Sequence, residues 1–104
     1  MEKFLVVTFK TGRLEAYYQD SKKAAREFGL DVAKRYVGRI NIIKAAKSVE
    51  ELQKLPGLRC VTPANGRMGE WTVELINLYR LVFTLQGEAI EVTHVKRVGI
   101  NYND

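Results

Sequence analysis

Apolar and polar residues recur with two different periods along this chain, and the change of period separates a helical first half from a strand-rich second half. The opening run FLVVTF, residues 4–9, is short and rich in β-branched and aromatic residues, which predicts a strand. The next segment, GRLEAYYQD, fits a short helix. SKKAAREF then fits a second helix, which Asp20 or Ser21 caps and Gly29 ends.

The longest helical pattern follows Asp31, which is predicted to cap a helix that runs to about Lys47. Its apolar residues recur at helical spacing and include Val32, Ala33, Tyr36, Val37, Ile40 and Ile43. Ser48 and Glu51 have the spacing of a capping box, so a short further helix is expected before the Pro-Gly pair at 56–57.

In the second half, apolar and polar residues alternate, which is the period of a half-buried strand. A three-residue connection pairs Val73 with Leu81, and a two-residue turn at 87–88 pairs Leu85 with Ile90. These registers place the apolar faces of three strands on one side. The sequence therefore predicts an α+β fold, in which an antiparallel β-sheet packs on the N-terminal helices.

One basic residue interrupts the apolar middle strand, NLYRLVFTL. The predicted register places Arg80 on the open face of the sheet, with Glu74 opposite on one neighbouring strand and Val95 on the other. Other residues predicted to share that face are Thr72, Thr93 and Arg97. Two interpretations stay open: Arg80 forms an exposed ion pair with Glu74, which contributes little, or it is a cation available to a phosphate.

His94, the only histidine of the chain, falls on the core face beside Leu81 in the same register. A lone histidine in that position is predicted to be a hydrogen-bonded structural residue. It receives no role as an acid or base in this interpretation.

The composition is that of one globular domain spanning residues 1–104. A single cysteine, Cys60, excludes an internal disulfide and a cysteine-rich zinc site. Because no apolar run reaches the length of a membrane span and the N-terminus lacks signal-peptide features, we expect a cytoplasmic protein without a membrane partner. The net charge of +5 lies in residues 1–54, which indicates contact with nucleic acid or an acidic protein segment, or simply a solvated surface.

Four stretches of the chain carry a more specific pattern. They are RLEAYYQDSKKAAREFG, AKRYVGRINIIKAAKSVEELQKLPGLRC, NLYRLVFTLQGEAIEV and the ending VKRVGINYND. Together they resemble the RelE/ParE superfamily of type II toxin–antitoxin toxins, in particular its HigB-like branch. The resemblance covers nearly the whole chain, and its most specific part is LPGLR followed by G-x-W and YRL-[VI]-F.

The resemblance implies a small basic toxin that cuts mRNA in the ribosomal A site, or a gyrase poison like the ParE-type relatives. The ribonuclease uses the 2′-hydroxyl of the RNA and needs no metal or other cofactor. Arg80 matches the family arginine that binds the scissile phosphate. Tyr102 matches the tyrosine of a terminal His-Tyr pair, in which Asn101 replaces the histidine. The basic residues expected to bind RNA or phosphate are Arg59, Arg67, Lys96 and Arg97.

The chain departs from the family pattern at several positions. Val61 stands where relatives carry a histidine, and Ala64 where they carry a lysine. Thr72 and Glu74 lie where RelE carries catalytic lysines. Because loss of one proton-transfer group commonly slows a reaction by ~10²–10⁴-fold, a non-nucleolytic binding module stays open as the alternative, either a gyrase poison or an antitoxin-binding relative.

The resemblance also implies partners. A cognate antitoxin protein is expected to cover the toxin, and an acidic or amphipathic segment of it would suit the basic first half. The ribosome and mRNA are the expected targets of the ribonuclease. DNA is expected to be contacted only indirectly, through the antitoxin.

Overall fold

A computed structural model of the chain describes residues 3–62 and 69–97. Within those ranges the elements are β1 (Val6–Phe9), α1 (Gly12–Gln19), α2 (Ser21–Phe28), α3 (Leu30–Lys44), α4 (Val49–Gln53), β2 (Glu70–Glu74), β3 (Tyr79–Gln86) and β4 (Ala89–Arg97). The predicted order of a strand, helices and an antiparallel meander is confirmed. The sequence-based expectations for Ala64, Arg67, Asn101 and Tyr102 fall outside the described residues.

The ends of the helices follow from their capping residues. The carboxylate of Asp20 accepts a 3.0 Å hydrogen bond from the backbone N–H of Lys22, which starts α2 as predicted. Gly29 ends α2 with a φ of 93°, a conformation that suits glycine, and it also precedes α3. The prediction that Asp31 caps α3 is wrong, because α3 already begins at Leu30 and Asp31 lies in its first turn.

The C-terminal end of α3 also differs from the prediction. The helix ends at Lys44, where the N–H of Ala45 already bonds to carbonyls of the last turn, rather than near Lys47. Ser48 caps α4 by accepting a 3.2 Å hydrogen bond from Glu51 N–H. The Glu51 carboxylate accepts a 3.1 Å hydrogen bond from the N–H of Lys47. The predicted capping box therefore forms, except that its second bond comes from Lys47 instead of from the capping residue, Ser48.

The four strands form one sheet in the order β1-β4-β3-β2. The predicted β2–β3 register is confirmed by the pairing of Val73 with Leu81, and the predicted turn between β3 and β4 by the pairing of Leu85 with Ile90. Strand β1 adds to the meander by pairing parallel to β4. The helical crossover returns the chain at β2 in the direction of β1, and two antiparallel connections give β4 the same direction. The sheet is therefore mixed.

The register between β3 and β4 shifts in the middle of the strands. Phe83 pairs with Val92, but Val82 pairs with His94, so Thr93 is the extra residue of a β-bulge. The predicted pairing of Leu81 with His94 is therefore wrong. Each residue of β4 beyond the bulge is displaced by one position relative to the prediction, and the residues that lie opposite Tyr79, Arg80 and Leu81 are Arg97, Lys96 and Val95.

The helices cover one face of the sheet and form the core with it. The largest fully buried side chains are Tyr36, Phe83, Ile40, Ile43, Leu52, Leu58, Leu81, Ile90, Val32, Val73, Val82 and Val92. All of them except Val82 belong to the cluster between sheet and helices. The hydroxyl of Tyr36 donates a 2.7 Å hydrogen bond to the carbonyl of Leu14, which fixes α1 to α3.

Candidate phosphate-binding site

The face of the sheet turned away from the helices carries Arg80, the residue around which the predicted site is built. Paired residues of neighbouring strands point to the same side. The register therefore brings together Thr72 and Glu74 of β2, Arg80 and Val82 of β3, and His94 and Lys96 of β4. We call this set the far face. It combines three groups that can be cationic with one carboxylate.

Arg80 lies in the middle strand of the far face. It is half-buried, and its Nη1 atom lies 3.5 Å from the hydroxyl of Thr72, a long and therefore weak hydrogen bond. Its guanidinium thus points along the far face instead of turning into the helix layer. This placement agrees with the interpretation that Arg80 is available to a phosphate.

Glu74 lies opposite Arg80, as predicted, but its salt bridge among the described residues is formed with another arginine. The Nε atom of Arg59 lies 3.7 Å from the Glu74 carboxylate, with side-chain exposures of 68% and 43%. An ion pair this exposed contributes little to stability. The alternative of a Glu74–Arg80 ion pair is therefore not what the structure shows.

The segment before β2 positions Arg59. Leu58 and Cys60 are buried on either side of it, and the carbonyl of Leu58 accepts a hydrogen bond from Glu74 N–H at 2.9 Å. Val61 then forms an isolated antiparallel bridge with Thr72. Arg59 consequently points outward at the edge of the far face, with a φ of 51° that few residues other than glycine adopt.

The bulge changes which β4 cation accompanies Arg80. The predicted neighbour was Val95, and Arg97 was predicted to share the open face. Both placements are wrong, because Thr93 is an extra residue: Lys96 lies opposite Arg80, while Arg97 lies opposite Tyr79. Among the expected cations that the structure describes, Lys96 therefore lies opposite Arg80, while Arg59 pairs with Glu74, the residue opposite Arg80 on β2.

His94 is also moved by the bulge. The prediction of a core position beside Leu81 is wrong: His94 is exposed and lies on the far face, opposite Val82. Its Nδ1 atom lies 3.1 Å from the hydroxyl of Thr93, and that hydroxyl lies 3.2 Å from the carbonyl of Val82. The exposure of His94 was not predicted, because an unbroken alternation through β4 would place this residue on the core face.

A cavity of about 400 Å³ opens beside Arg80 at the turn between β2 and β3. It is lined by Arg80 and Glu74, the turn residues 75–79, and Arg35 of α3. A second cavity of about 270 Å³ shares Arg35 and Ile76 with it and is lined by Asp31, Lys34, Gly38, Arg39 and Ile42 as well. We call the two cavities together the basic groove. From the sequence, only an excess of positive charge in residues 1–54 was predicted.

Arg39 joins the basic groove to the end of β2. Its Nε atom donates a 2.9 Å hydrogen bond to the carbonyl of Glu74, and Nη2 donates a 3.3 Å bond to the carbonyl of Gly57. Burial lowers the pKa of Arg39 and Arg35 lowers it further, while Glu74 partly offsets both. Arg39 thus holds α3 against the strand that carries Glu74.

The described residues contain neither a metal site nor a membrane-spanning helix. No group of three or more histidine, cysteine or acidic side chains there is arranged to hold a metal ion. No helix in the same residues is long and apolar enough to cross a membrane.

Comparison with known proteins identifies the fold. No protein-family model matches the chain, and no curated protein matches it significantly. The structure is similar to that of a YoeB dimer from Staphylococcus aureus, with 17% identity, a TM-score of 0.51, and coverage of 90% of this chain and 97% of that one. This likeness confirms the predicted RelE-like α+β fold.

Two further solved structures resemble the chain at lower TM-scores. A YoeB–YefM complex from Staphylococcus aureus has 17% identity, a TM-score of 0.48, and coverage of 90% and 97% of the two chains. A chromosomal ParDE TA system from P. aeruginosa has 19% identity, a TM-score of 0.46, and coverage of 92% and 98%.

Proposed function

We propose that this chain is the toxin of a toxin–antitoxin system and that it cuts mRNA on the ribosome. The observation that carries the proposal is the position of Arg80, half-buried on the far face with Lys96 opposite it. The RelE-like fold shared with YoeB supports the class of protein. The HigB-like pattern of the sequence supports the same class, and the cytoplasm is the compartment in which such a toxin would act.

In this mechanism the protein supplies positive charge that stabilises the reacting phosphate, and it holds the RNA in position. Arg80 would bind the scissile phosphate through two N–H groups and stabilise the charge that grows on it in the transition state. Lys96 would add a second, compact charge, and Arg59 would hold the neighbouring backbone. The 2′-hydroxyl of the RNA is the nucleophile, so the chain need only orient the substrate and assist proton transfer.

Three further residues complete the proposal from the sequence pattern. Tyr102 would stack on a base or assist proton transfer, and Asn101 would orient the substrate by hydrogen bonding. Arg67, which precedes β2 in the sequence, would hold the RNA backbone. The basic groove would contact ribosomal RNA.

The test is a ribosome-dependent cleavage assay with the wild type, Arg80→Ala and Arg13→Ala. Arg13 is an exposed arginine of α1 outside the far face and the basic groove, so it serves as the matched control. We expect Arg80→Ala to reduce A-site cleavage by ~10²–10³-fold, the usual effect of removing one transition-state donor, with Arg13→Ala unchanged. Equal cleavage by wild type and Arg80→Ala removes the assignment.

The second candidate is a non-nucleolytic binding module on the same fold. The observation that favours it is Glu74, whose carboxylate lies opposite Arg80 and would repel an RNA phosphate. Val61 and Ala64, where the family has a histidine and a lysine, favour it too. Growth arrest with intact mRNA and stalled gyrase would indicate a gyrase poison. Harmless overexpression with tight antitoxin binding would indicate an antitoxin-binding relative.

A cognate antitoxin is part of either candidate. The basic groove would suit an acidic segment. In addition, β1 is an edge strand, and Val6 within it and Phe4 just before it are 58% and 53% exposed. Co-expression with the product of a neighbouring reading frame, followed by purification, tests this partner. Rescue of growth together with a stable complex is the expected result.

A further inference from the structure

The far face contains two titratable groups that the proposed mechanism does not use, Glu74 and His94. Glu74 already pairs with Arg59, which leaves His94. It is exposed on β4, two residues from Lys96 and diagonal to Arg80 across the β3–β4 pair. Diagonal neighbours on adjacent strands are about 7–8 Å apart at Cα, a spacing that long side chains bridge. A phosphate bound by Arg80 would therefore bring its ribose within reach of the imidazole.

The contacts of Thr93 favour one tautomer of His94, the one that carries its proton on Nδ1. A threonine hydroxyl has one proton to donate. Both Thr93 contacts are hydrogen bonds together only with Nδ1 as a donor: the carbonyl of Val82, at 3.2 Å, takes the hydroxyl proton, and the hydroxyl oxygen accepts from Nδ1 at 3.1 Å. In the neutral ring Nε2 is then the proton acceptor, and no described residue hydrogen-bonds it.

We infer that His94 is the general base of this site, taking the place of the histidines that the family pattern lacks at residues 61 and 101. The inference rests on the proposed ribonuclease function. Nε2 of His94 takes the proton of the 2′-hydroxyl while the 2′-oxygen attacks the phosphorus. The bond from phosphorus to the 5′-oxygen breaks, and the departing oxygen takes a proton from water. The products are a 2′,3′-cyclic phosphate and a 5′-hydroxyl, and the imidazolium returns its proton to solvent.

The experiment separates catalysis by His94 from binding. Purified full-length wild type, His94→Gln, His94→Ala and Arg80→Ala are compared on ribosomes that carry a defined mRNA, with Glu91→Gln as a control on the same strand. Glutamine keeps the polarity of the side chain but cannot exchange protons near neutral pH. We expect His94→Gln to lose ~10²–10⁴-fold in cleavage rate while it binds ribosomes like the wild type, and Glu91→Gln to keep both properties.

Chemical rescue gives a second readout. Added imidazole should restore part of the cleavage by His94→Ala and none of that by Arg80→Ala, because imidazole replaces a base but not a phosphate-binding guanidinium. If His94→Gln cleaves at the wild-type rate while Arg80→Ala does not, the role of His94 is overturned and the proposed function stands. If the wild type does not cleave mRNA, both are overturned.

Discussion

Tyr36 places a polar atom inside the core and satisfies it there. Its side chain is fully buried, and the hydroxyl donates to the carbonyl of Leu14 at 2.7 Å. We predict that Tyr36→Phe lowers the free energy of unfolding by about 1 kcal/mol, because one buried hydrogen bond is lost while the ring stays in place. Urea unfolding measures the difference. An unchanged unfolding midpoint would mean that this hydrogen bond contributes nothing.

Because of Cys60, we expect the stability of the fold to change with pH in the alkaline range. Burial raises the pKa of the Cys60 thiol from 9.0 to about 11. Between those values the folded chain keeps a proton that the unfolded chain has lost, so stability is full below pH 9 and falls as the pH rises. We predict a loss on the order of 2 kcal/mol that Cys60→Ala does not show.

The measurement is urea unfolding of both proteins at a series of pH values from about 8 to 11. Tyr36 contributes in the same direction at higher pH, because burial, followed by Tyr17, raises its pKa above the ordinary 10.0. The control is therefore Tyr36→Phe, which removes that contribution and leaves the one from Cys60. Parallel pH curves for wild type and Cys60→Ala would contradict the prediction.

The location of single residues was predictable where the hydrophobic period of a helix or a strand continued without interruption. Helical spacing identified Tyr36 as a core residue, and alternation in β2 and β3 placed Arg80 opposite Glu74. The partner of the Tyr36 hydroxyl, Leu14, was not predictable, because a contact between residues 22 positions apart depends on how two helices pack. For the same reason, spacing along the chain did not indicate that Arg59 pairs with Glu74.

The turn between β2 and β3 stores strain that a substitution can release. Asn77 and Leu78 have φ values of 56° and 69°, and Tyr79 N–H donates to the carbonyl of Ile76 at 3.1 Å, the pattern of a type I′ turn. Such turns favour Asn-Gly. We predict that Leu78→Gly raises the free energy of unfolding by about 1 kcal/mol, since the left-handed region costs a residue with a Cβ atom that much.

The matched control for the turn is Leu78→Ala. Alanine removes the same exposed side chain but keeps the Cβ atom, so it should not gain stability. Urea unfolding of the three proteins gives the comparison. Equal stabilities of the glycine and alanine variants would show that the turn is not strained at Leu78.

The bulge in β4 is the element that the sequence analysis missed, although the chain contains a signal for it. Unbroken alternation from Val92 would place His94 and Lys96 on the buried face. Burying a charged group without a partner is costly. An extra residue at Thr93 instead allows Val92 and Val95 to face the core together, which is the observed register. Two apolar residues three positions apart in a strand thus indicate a bulge.

At the scale of the whole molecule, part of the predicted excess of positive charge lies along one groove of the surface. The sequence assigned the excess to residues 1–54, and the structure places Lys34, Arg35 and Arg39 along the basic groove that ends beside Arg80. Composition alone cannot provide this arrangement, because it depends on how α3 lies against the β2–β3 turn. Arg39 fixes that contact through the carbonyls of Glu74 and Gly57.

The basic groove predicts how binding to ribosomal RNA depends on salt. Each cation that neutralises a phosphate releases counterions, so affinity falls linearly with salt on logarithmic axes and the slope counts such contacts. We predict that Arg35→Gln weakens ribosome binding at low salt and reduces the slope by about 1, because Arg35 lines both cavities of the groove. Arg13→Gln, which removes the same charge from α1 outside the groove, should leave the slope unchanged. If both variants reduce the slope equally, RNA responds to the net charge of the protein, and the groove has no special part in binding.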